Sequence, residues 1–442
     1  MNHFESRAFY TIWLGQLISV AGSGLSEFAL GLWVYQQTGS ITQFGLVLFC
    51  KVLPALALAP LAGVLVDRYD RRAIMILADT GAALGAGLVA ALVLTGRLAV
   101  WEVFLAVTLS SAFGTFQRPA YLSSITLLVP PKRLGQSAGM VLTSQAVADI
   151  ASPILAGLLL GPLGLGGILL IDALTFVCGA AAALAVRFGG RAAPKAAEQS
   201  VRGDLAAAAA YLRGQPRLIS LLAYFALITF LGGAIGTLLV PMVLGFAGPA
   251  VLGVVLAVAG GGLLLGGLTL SAWGGPADRL RGVFVFGLPF GLCLMSIGLR
   301  PSALLVAVFA AGAHFAVPFV AGLNQALWQA EVPLAMQGRV FALREMLVRS
   351  VQPLAPLATG LLADRVFAPL SWANSPLAGS LNLILGAGPG RGLGLLFVSM
   401  GSLALLAALV GLVNAVRRPT PTTAIALAAP PALAPDGVSQ PR

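Results

Sequence analysis

Twelve apolar runs, each near the roughly 20 residues an α-helix needs to cross a bilayer, constrain this chain more than any other feature. They fall at 9–35, 42–66, 73–95, 101–125, 137–160, 166–187, 218–243, 250–272, 282–299, 302–327, 340–363 and 392–416. Within hydrocarbon every backbone amide must be paired internally, which leaves helices as the form such runs take. Composition agrees: 58% of the 442 residues are hydrophobic, 9% are charged, and the mean hydropathy is +0.95, values foreign to soluble domains. The chain therefore reads as an all-α, polytopic membrane protein.

A formal net charge of +11 would suggest a nucleic-acid partner for a soluble protein; here the position of each charge matters more than the sum, and no nucleic acid is expected. With both termini cytoplasmic, 21 of the 26 Lys and Arg residues lie on the inner side. Arg97, Arg300, Arg365 and Arg391 lie outside, and Lys51 within a span. That asymmetry satisfies the positive-inside rule and predicts a multi-pass protein of the cell membrane. The first run is too long for a cleaved signal peptide and is expected to remain as the first span. Cys50, Cys178 and Cys293 sit in separate spans and read as small packing residues rather than a disulfide framework.

Enzyme chemistry finds no support. Two histidines, one of them His3, cannot build a metal cluster, no Ser-His-Asp set shares a depth, and no Gly-x-x-x-x-Gly-Lys-Ser/Thr loop occurs. No cofactor and no metal are expected, and any energy source must be an ion gradient.

The polar stretch 189–217 divides the chain into bundles of six spans, 1–188 and 218–418, followed by a Pro- and Ala-rich tail, 419–442, expected to be disordered. Leu205, Ala209 and Leu212 recur at helical spacing in the linker and suit a short amphipathic helix on the cytoplasmic leaflet. The halves repeat one another. Ser152-Pro153-x-x-Ala156-Gly157 and Ala355-Pro356-x-x-Thr359-Gly360 are related by an offset of 203 residues, as are Val129-Pro130 and Val332-Pro333. Two related six-helix bundles with a site between them is a transporter plan. The outer loop 365–391 is apolar, with Trp372, and reads as an interfacial segment or lid.

Two charges of opposite sign lie inside spans. Glu27 precedes the end of its run and Lys51 follows the start of the next by similar distances; at 1.5 Å per residue both sit roughly 12–14 Å below one surface. An antiparallel pair of helices brings them within reach, and ionisable groups at that depth mark functional sites by default.

The loop Gly63-Val-Leu-Val-Asp67-Arg68-Tyr69-Asp70-Arg71-Arg72, between the second and third spans, resembles the cytoplasmic signature of the major facilitator superfamily, with Asp70 where that family usually has Gly. Gly274-x-x-x-Asp278-Arg279 is its degraded counterpart in the second half. Gly139, Ala148, Ser152, Pro153, Ala156 and Gly157 fall at the spacing of the antiporter motif in the fifth span of exporters of that superfamily, and small residues there allow close helix packing. The Gly-rich eighth span, Gly260-Gly261-Gly262 and Gly266-Gly267, offers a complementary surface. Segments 64–79, 118–139 and 337–344 together resemble the macrolide-efflux branch, which includes siderophore exporters and a lysophospholipid transporter.

The resemblance implies twelve helices in two pseudo-symmetric bundles and ion-coupled efflux of a bulky amphiphile; a monomer is expected because each chain already contains both bundles. It implies that Asp67 faces the amino terminus of the eleventh span near Gly338, closing an inner gate, with Arg68, Arg71 and Arg72 as tethers and Asp278 and Arg279 as the second-half gate residues. It places spans 1, 4, 7 and 10 around the cavity. Polar stripes at helical spacing then nominate Gln16 and Ser23 on span 1, Thr108, Ser111, Thr115 and Arg118 on span 4, and His314 and Gln325 on span 10 as cavity lining, although Ser and Thr can equally bond their own backbone. Glu27 with Lys51 is the first choice for proton coupling, then Asp149 and Asp172; Asp79 is expected to satisfy neighbouring helices. Sodium is the alternative ion, a lysophospholipid the alternative cargo, and a non-transporting sensor or scaffold the alternative class.

Overall fold

The computed structural model describes residues 3–130, 133–186, 201–370 and 391–417. The outer-loop segment 371–390, the linker residues 189–200 and the tail 419–442 lie outside the described residues. Among the described residues every regular element is helical. In order they are α1 (His3–Thr38), α2 (Ile41–Arg68), α3 (Arg71–Leu94), α4 (Val100–Leu128), α5 (Leu134–Ala185), α6 (Val201–Arg213), α7 (Pro216–Leu244), α8 (Pro249–Trp273), α9 (Arg279–Ile297), α10 (Ala303–Glu331), α11 (Leu334–Val351), α12 (Leu354–Leu362), a π-helical stretch (Ala363–Phe367) running into α13 (Ala368–Leu370), and α14 (Arg391–Arg417).

Ten helical segments are long and apolar enough to cross a membrane, and two physical details bring the described spans to twelve. α4 is diluted by Thr, Ser, Gln117 and Arg118 yet runs 29 residues. α5 is 52 residues long and reverses at Gly164, whose φ of 63° and ψ of 177° suit a residue without a Cβ. Its reversal is visible along α1: the first arm reaches Trp13 through Met140 and Ala21 through Ser152, whereas on the second arm Ala182 lies at Gly15 and Thr175 at Gly22. Contacts that climb on one arm and descend on the other place two antiparallel spans there. The eleventh span is composite: α11 ends at Gln352-Pro353, since proline cannot continue an amide ladder, and α12 with the π-helical stretch completes the crossing.

α1 packs on both arms of α5 and α3 on its second arm, with α2 and α3 on α4; in the second half α8 and α9 pack on α10, and α14 on α9. Each half has its own apolar core. The linker helix α6 docks on α7 and α11: Ala208 and Leu212 are buried there, and Tyr211 donates to the Glu331 carbonyl at 3.4 Å. The apolar face read from sequence as lipid-facing thus packs on the core of the second bundle, with Leu205 and Ala209 beside the buried Ala208 and Leu212.

The bundles meet along two seams, α5 with α8 and α12 with α2, and the repeated motif lies in both. At the first, a Cβ on Gly157 would stand 3.0 Å from the Pro249 carbonyl and one on Gly253 3.6 Å from that of Pro153. At the second, a Cβ on Gly360 would stand 2.8 Å from Thr42 Cα, and one on Gly45 would meet the Pro356 carbonyl. In α8, Gly253 and Gly260 face α5, whereas Gly262 and Gly266 abut Ala311 and Phe315 of α10, so only part of the Gly-rich surface serves the seam. Gly139 touches nothing within 4 Å.

Gly45→Val is expected to lower the midpoint of thermal unfolding in detergent, an overpacking cost of about 1–3 kcal/mol. Gly63→Ala, with open space around its site, should leave the midpoint unchanged or slightly higher.

Candidate transport site

α1 carries a polar ladder down the first bundle. Glu27 forms an ion pair with Lys51 of α2, eleven residues before the end of α1 and ten after the start of α2, a depth of roughly 15 Å. The pair is not sealed: 29% of the Glu27 side chain and 49% of the Lys51 side chain remain exposed. Ser111 of α4 donates to the Lys51 carbonyl, drawing a third helix to the same level.

Next to Glu27 in the chain, Ser26 donates to Asp172 on the second arm of α5, and Ser23 and Thr175 reach the same carboxyl group at 3.5 Å. Asp172 is 4% exposed and close enough to Glu27 for their charges to interact. About two turns further from the Ser40 end is a second buried group. Gln16 donates to Asp79 of α3 at 3.3 Å and accepts from Gln117 of α4, with Gly179 leaving room for Asp79. Both carboxyl groups are buried and held by neutral donors from neighbouring side chains.

Several expected lining residues turn elsewhere. Gln16 is 4% exposed and belongs to the interior network with Asp79, and Ser23 faces Asp172. Thr108 and Thr115 bond the carbonyls of Phe104 and Ser111 on their own helix. His314 is half-buried, its Nδ1 beside the Ala310 carbonyl at 2.8 Å. Arg118 is exposed. Gln325 accepts from Arg344 of α11. The backbones of Asp67 and Asp149 lie in α2 and the first arm of α5; their side chains lie outside the described ones. Ala148, Ser152 and Ala156 are buried, with Ser152 donating to the Ala21 carbonyl at 3.1 Å.

The two ends of the bundle pair differ. At the Ser40 end, Asp364, just beyond α12, takes the first turn of α2: its carboxylate accepts from Ser40 Oγ at 2.7 Å, the Ile41 amide at 3.1 Å and the Thr42 amide at 2.8 Å. Ser40 itself accepts from the Gln43 amide at 3.2 Å. Those amides have no partner within the helix, so an anion from the other bundle satisfies them and the helix dipole together. The core of the second bundle continues across this seam to Leu32, Ile41 and Phe44.

At the Arg68 end the bundles stand apart. Between Lys51 and Leu65 the described side chains of α2 bury only Pro54 and Ala62, less than a helix packed on two sides would bury, and Leu61, Val64 and Tyr69 are exposed. Gly63 and Gly338 face open space. The signature arginines bind helix ends of their own bundle: Arg71 donates to the Ser123 carbonyl at 3.0 Å, and Arg72 to the Ala183 carbonyl at 3.0 Å and to that of Leu184. Asp70 caps α3 by accepting from the Arg72 amide at 3.0 Å, with φ of −64°, so no glycine is needed there. Asp278 does the same for α9, accepting from the Arg281 amide at 3.0 Å and pairing with Arg281; its structural counterpart is Asp70 rather than Asp67.

Sequence reasoning missed Asp364, since a single acid at the end of an apolar run reads as loop and its partners are backbone amides. The Gln16, Asp79 and Gln117 network was open to discovery, because three uncharged or acidic polar residues at matching depth on spans 1, 3 and 4 are unlikely neighbours by chance.

Two six-helix bundles in contact at one end, a cleft between them at the other and ionisable groups at mid-depth define a membrane transporter. Residues 12–356 match the family model described as Major Facilitator Superfamily. The chain is 29% identical over 365 residues to Macrolide efflux protein A of Streptococcus pyogenes, covering 81% of this chain and 90% of the relative. It is 25% identical over 375 residues to Multidrug efflux pump Tap of Mycolicibacterium fortuitum, covering 82% and 91%. Its fold is similar to that of a bacterial homolog of the human lysosomal transporter Spinster, solved in an inward-facing, unoccupied conformation (TM-score 0.64, 17% identity, 94% of this chain and 96% of the other). It is also similar to nucleoside transporter NupG (TM-score 0.63, 15% identity, 93% and 99%). The chain belongs to the Major Facilitator Superfamily and is a multi-pass transporter, not an enzyme.

Asp364→Ala removes charge-assisted bonds worth roughly 1.5–3 kcal/mol. A cysteine placed at Thr42, in a background lacking Cys50, Cys178 and Cys293, is then expected to react with a soluble maleimide about tenfold faster; an unchanged rate would show that the contact does not hold this end shut.

Proposed function

We propose that this protein exports bulky amphiphilic compounds (drug-, macrolide- or siderophore-like) from the cell, exchanging them for protons by alternating access. The observation that carries this reading is the Glu27 and Lys51 ion pair, half open at membrane depth and coupled through Ser26 to the buried Asp172. The efflux activities named for the relatives in Streptococcus and Mycolicibacterium support the direction of transport.

The excess of basic residues around the Arg68 end assigns that end to the cytoplasm, with both termini inside. The cleft is then open inward and the Asp364 contact closes the outer side. Cargo enters from the cytoplasm or inner leaflet and lodges between the bundles near the midplane. Opening outward requires α2 to leave Asp364. Asp67, in the last turn of α2, then takes the corresponding place at the start of α11, so that one carboxylate-capped helix start is exchanged for another. Protonation of Glu27 removes its attraction for Lys51 and lets the helices that carry them separate; deprotonation toward the cytoplasm restores the pair. Asp172 and Asp149 are the accessory proton sites in this reading, and one chain, holding both bundles, suffices.

In proteoliposomes with an imposed proton gradient, Glu27→Gln is expected to reduce gradient-driven movement of a radiolabelled macrolide by about tenfold or more, while exchange of labelled for unlabelled macrolide across the same vesicles, which needs no net proton movement, continues. Wild-type gradient-driven rates in Glu27→Gln would defeat the mechanism.

A further inference from the structure

Arg344 falls among the inner basic residues when charges are counted by loop, yet it is 7% exposed within the α11 part of the eleventh span. Two neighbouring helices hold it. Its Nη1 donates to Gln325 Oε1 on α10, and its Cζ lies 5.4 Å from the centre of the Phe225 ring on α7 and 5.1 Å from that of Trp328 on α10. Trp328 is fully buried and donates through Nε1 to Asn324 Oδ1 at 3.1 Å. That leaves the Asn324 Nδ2, on a residue with no exposed surface, without an acceptor.

The local chemistry is therefore rich in donors and short of acid. Glu345, the next residue, turns outward to Arg349 at 2.6 Å, and Asp278 is paired with Arg281. A guanidinium has five N–H donors in one plane; two aromatic rings lie near its Cζ, and among the described residues a single neutral oxygen meets one of its donors. The two cation–π contacts and Gln325 hold the group in place and leave its other donors as the recognition element, the chemistry with which Arg binds a carboxylate or phosphate in a bidentate manner. By contrast, the first bundle places its buried carboxyl groups, Asp79 and Asp172, on the other side of the cleft.

We propose that Arg344, set by Gln325, Phe225 and the buried Trp328, binds the anionic group of an amphiphile, a carboxylate or phosphate, while the half-buried Phe225 ring takes the adjoining apolar chain. This deepens the export reading and rests on it for the statement that the amphiphile is cargo.

The test uses the full chain in phosphatidylcholine nanodiscs and intrinsic tryptophan fluorescence, which Trp328 should report, titrated with dodecyl phosphate and with dodecyltrimethylammonium. The wild type is expected to bind the phosphate about tenfold or more tightly than the cation of equal chain length. Arg344→Gln should abolish that preference and Arg344→Lys should keep only part of it, since the charge survives without the planar fork. Equal affinities in the wild type, a comparison that needs no substitution to fold, would overturn the site, as would a preference that persists in Arg344→Gln. Phosphatidylglycerol in the nanodisc separates the sources: competition makes the occupant a membrane lipid, its lack makes it free cargo, and both uphold an anion site. Binding needs no gradient, so failure of gradient-driven flux leaves this result standing, and the reverse also holds.

Discussion

A carboxylate at the start of a helix organises this structure. α2 and the eleventh span run in opposite directions along the second seam, and Asp364, beyond α12, meets the first turn of α2, while the backbone of Asp67 lies in the last turn of α2. In the conformation described here the Asp364 contact is made and the opposite end is open. The physics suits a contact that can be made and broken repeatedly. Helix-start amides are hydrogen-bonded by water when uncovered, so separation leaves no buried donor unsatisfied, and the net gain from each such bond is modest. A hydrophobic seam of equal area would have no comparable substitute for its lost partner.

The packing that flanks this contact is made of backbone against backbone. Gly157 at the Pro249 carbonyl and Gly360 at Thr42 are the same position in the two copies of the internal repeat, and both bring helices together where side chains are absent. The repeat thus marks where bundles touch, while residues that differ between its copies, Ser152 against Ala355 among them, face the interior of one bundle. Asp364 has Gly161 at the matching position of the first copy. The carboxylate contact therefore belongs to one seam alone, an asymmetry laid over a symmetric frame.

Much of this was legible from the sequence, and the limits have physical causes. Spans follow from apolar runs, because hydrocarbon leaves the backbone no choice but to pair internally. The Glu27 and Lys51 pair follows from depth, since two antiparallel helices joined by a short bend have one register. Periodicity was less informative about Gln16 and Ser23: it groups residues by face, but α1 is packed on several sides and its polar face meets Asp79 and Asp172 rather than the cleft. Arg71 and Arg72 pair with carbonyl groups at helix ends, and Asp364 with amides, partners that every residue possesses and no sequence pattern reveals. Arg344 was hidden by its neighbours in the count of inner charges, because topology rules score a cation without asking what surrounds it.

The glycine seams have a consequence for how such proteins diversify. Where two helices bear on each other through main chain, the pivot depends on the lack of side chains and tolerates almost no substitution, whereas walls distant from it are free to vary. Selection can therefore remodel the distant walls, residue by residue, while the seam between the bundles stays untouched.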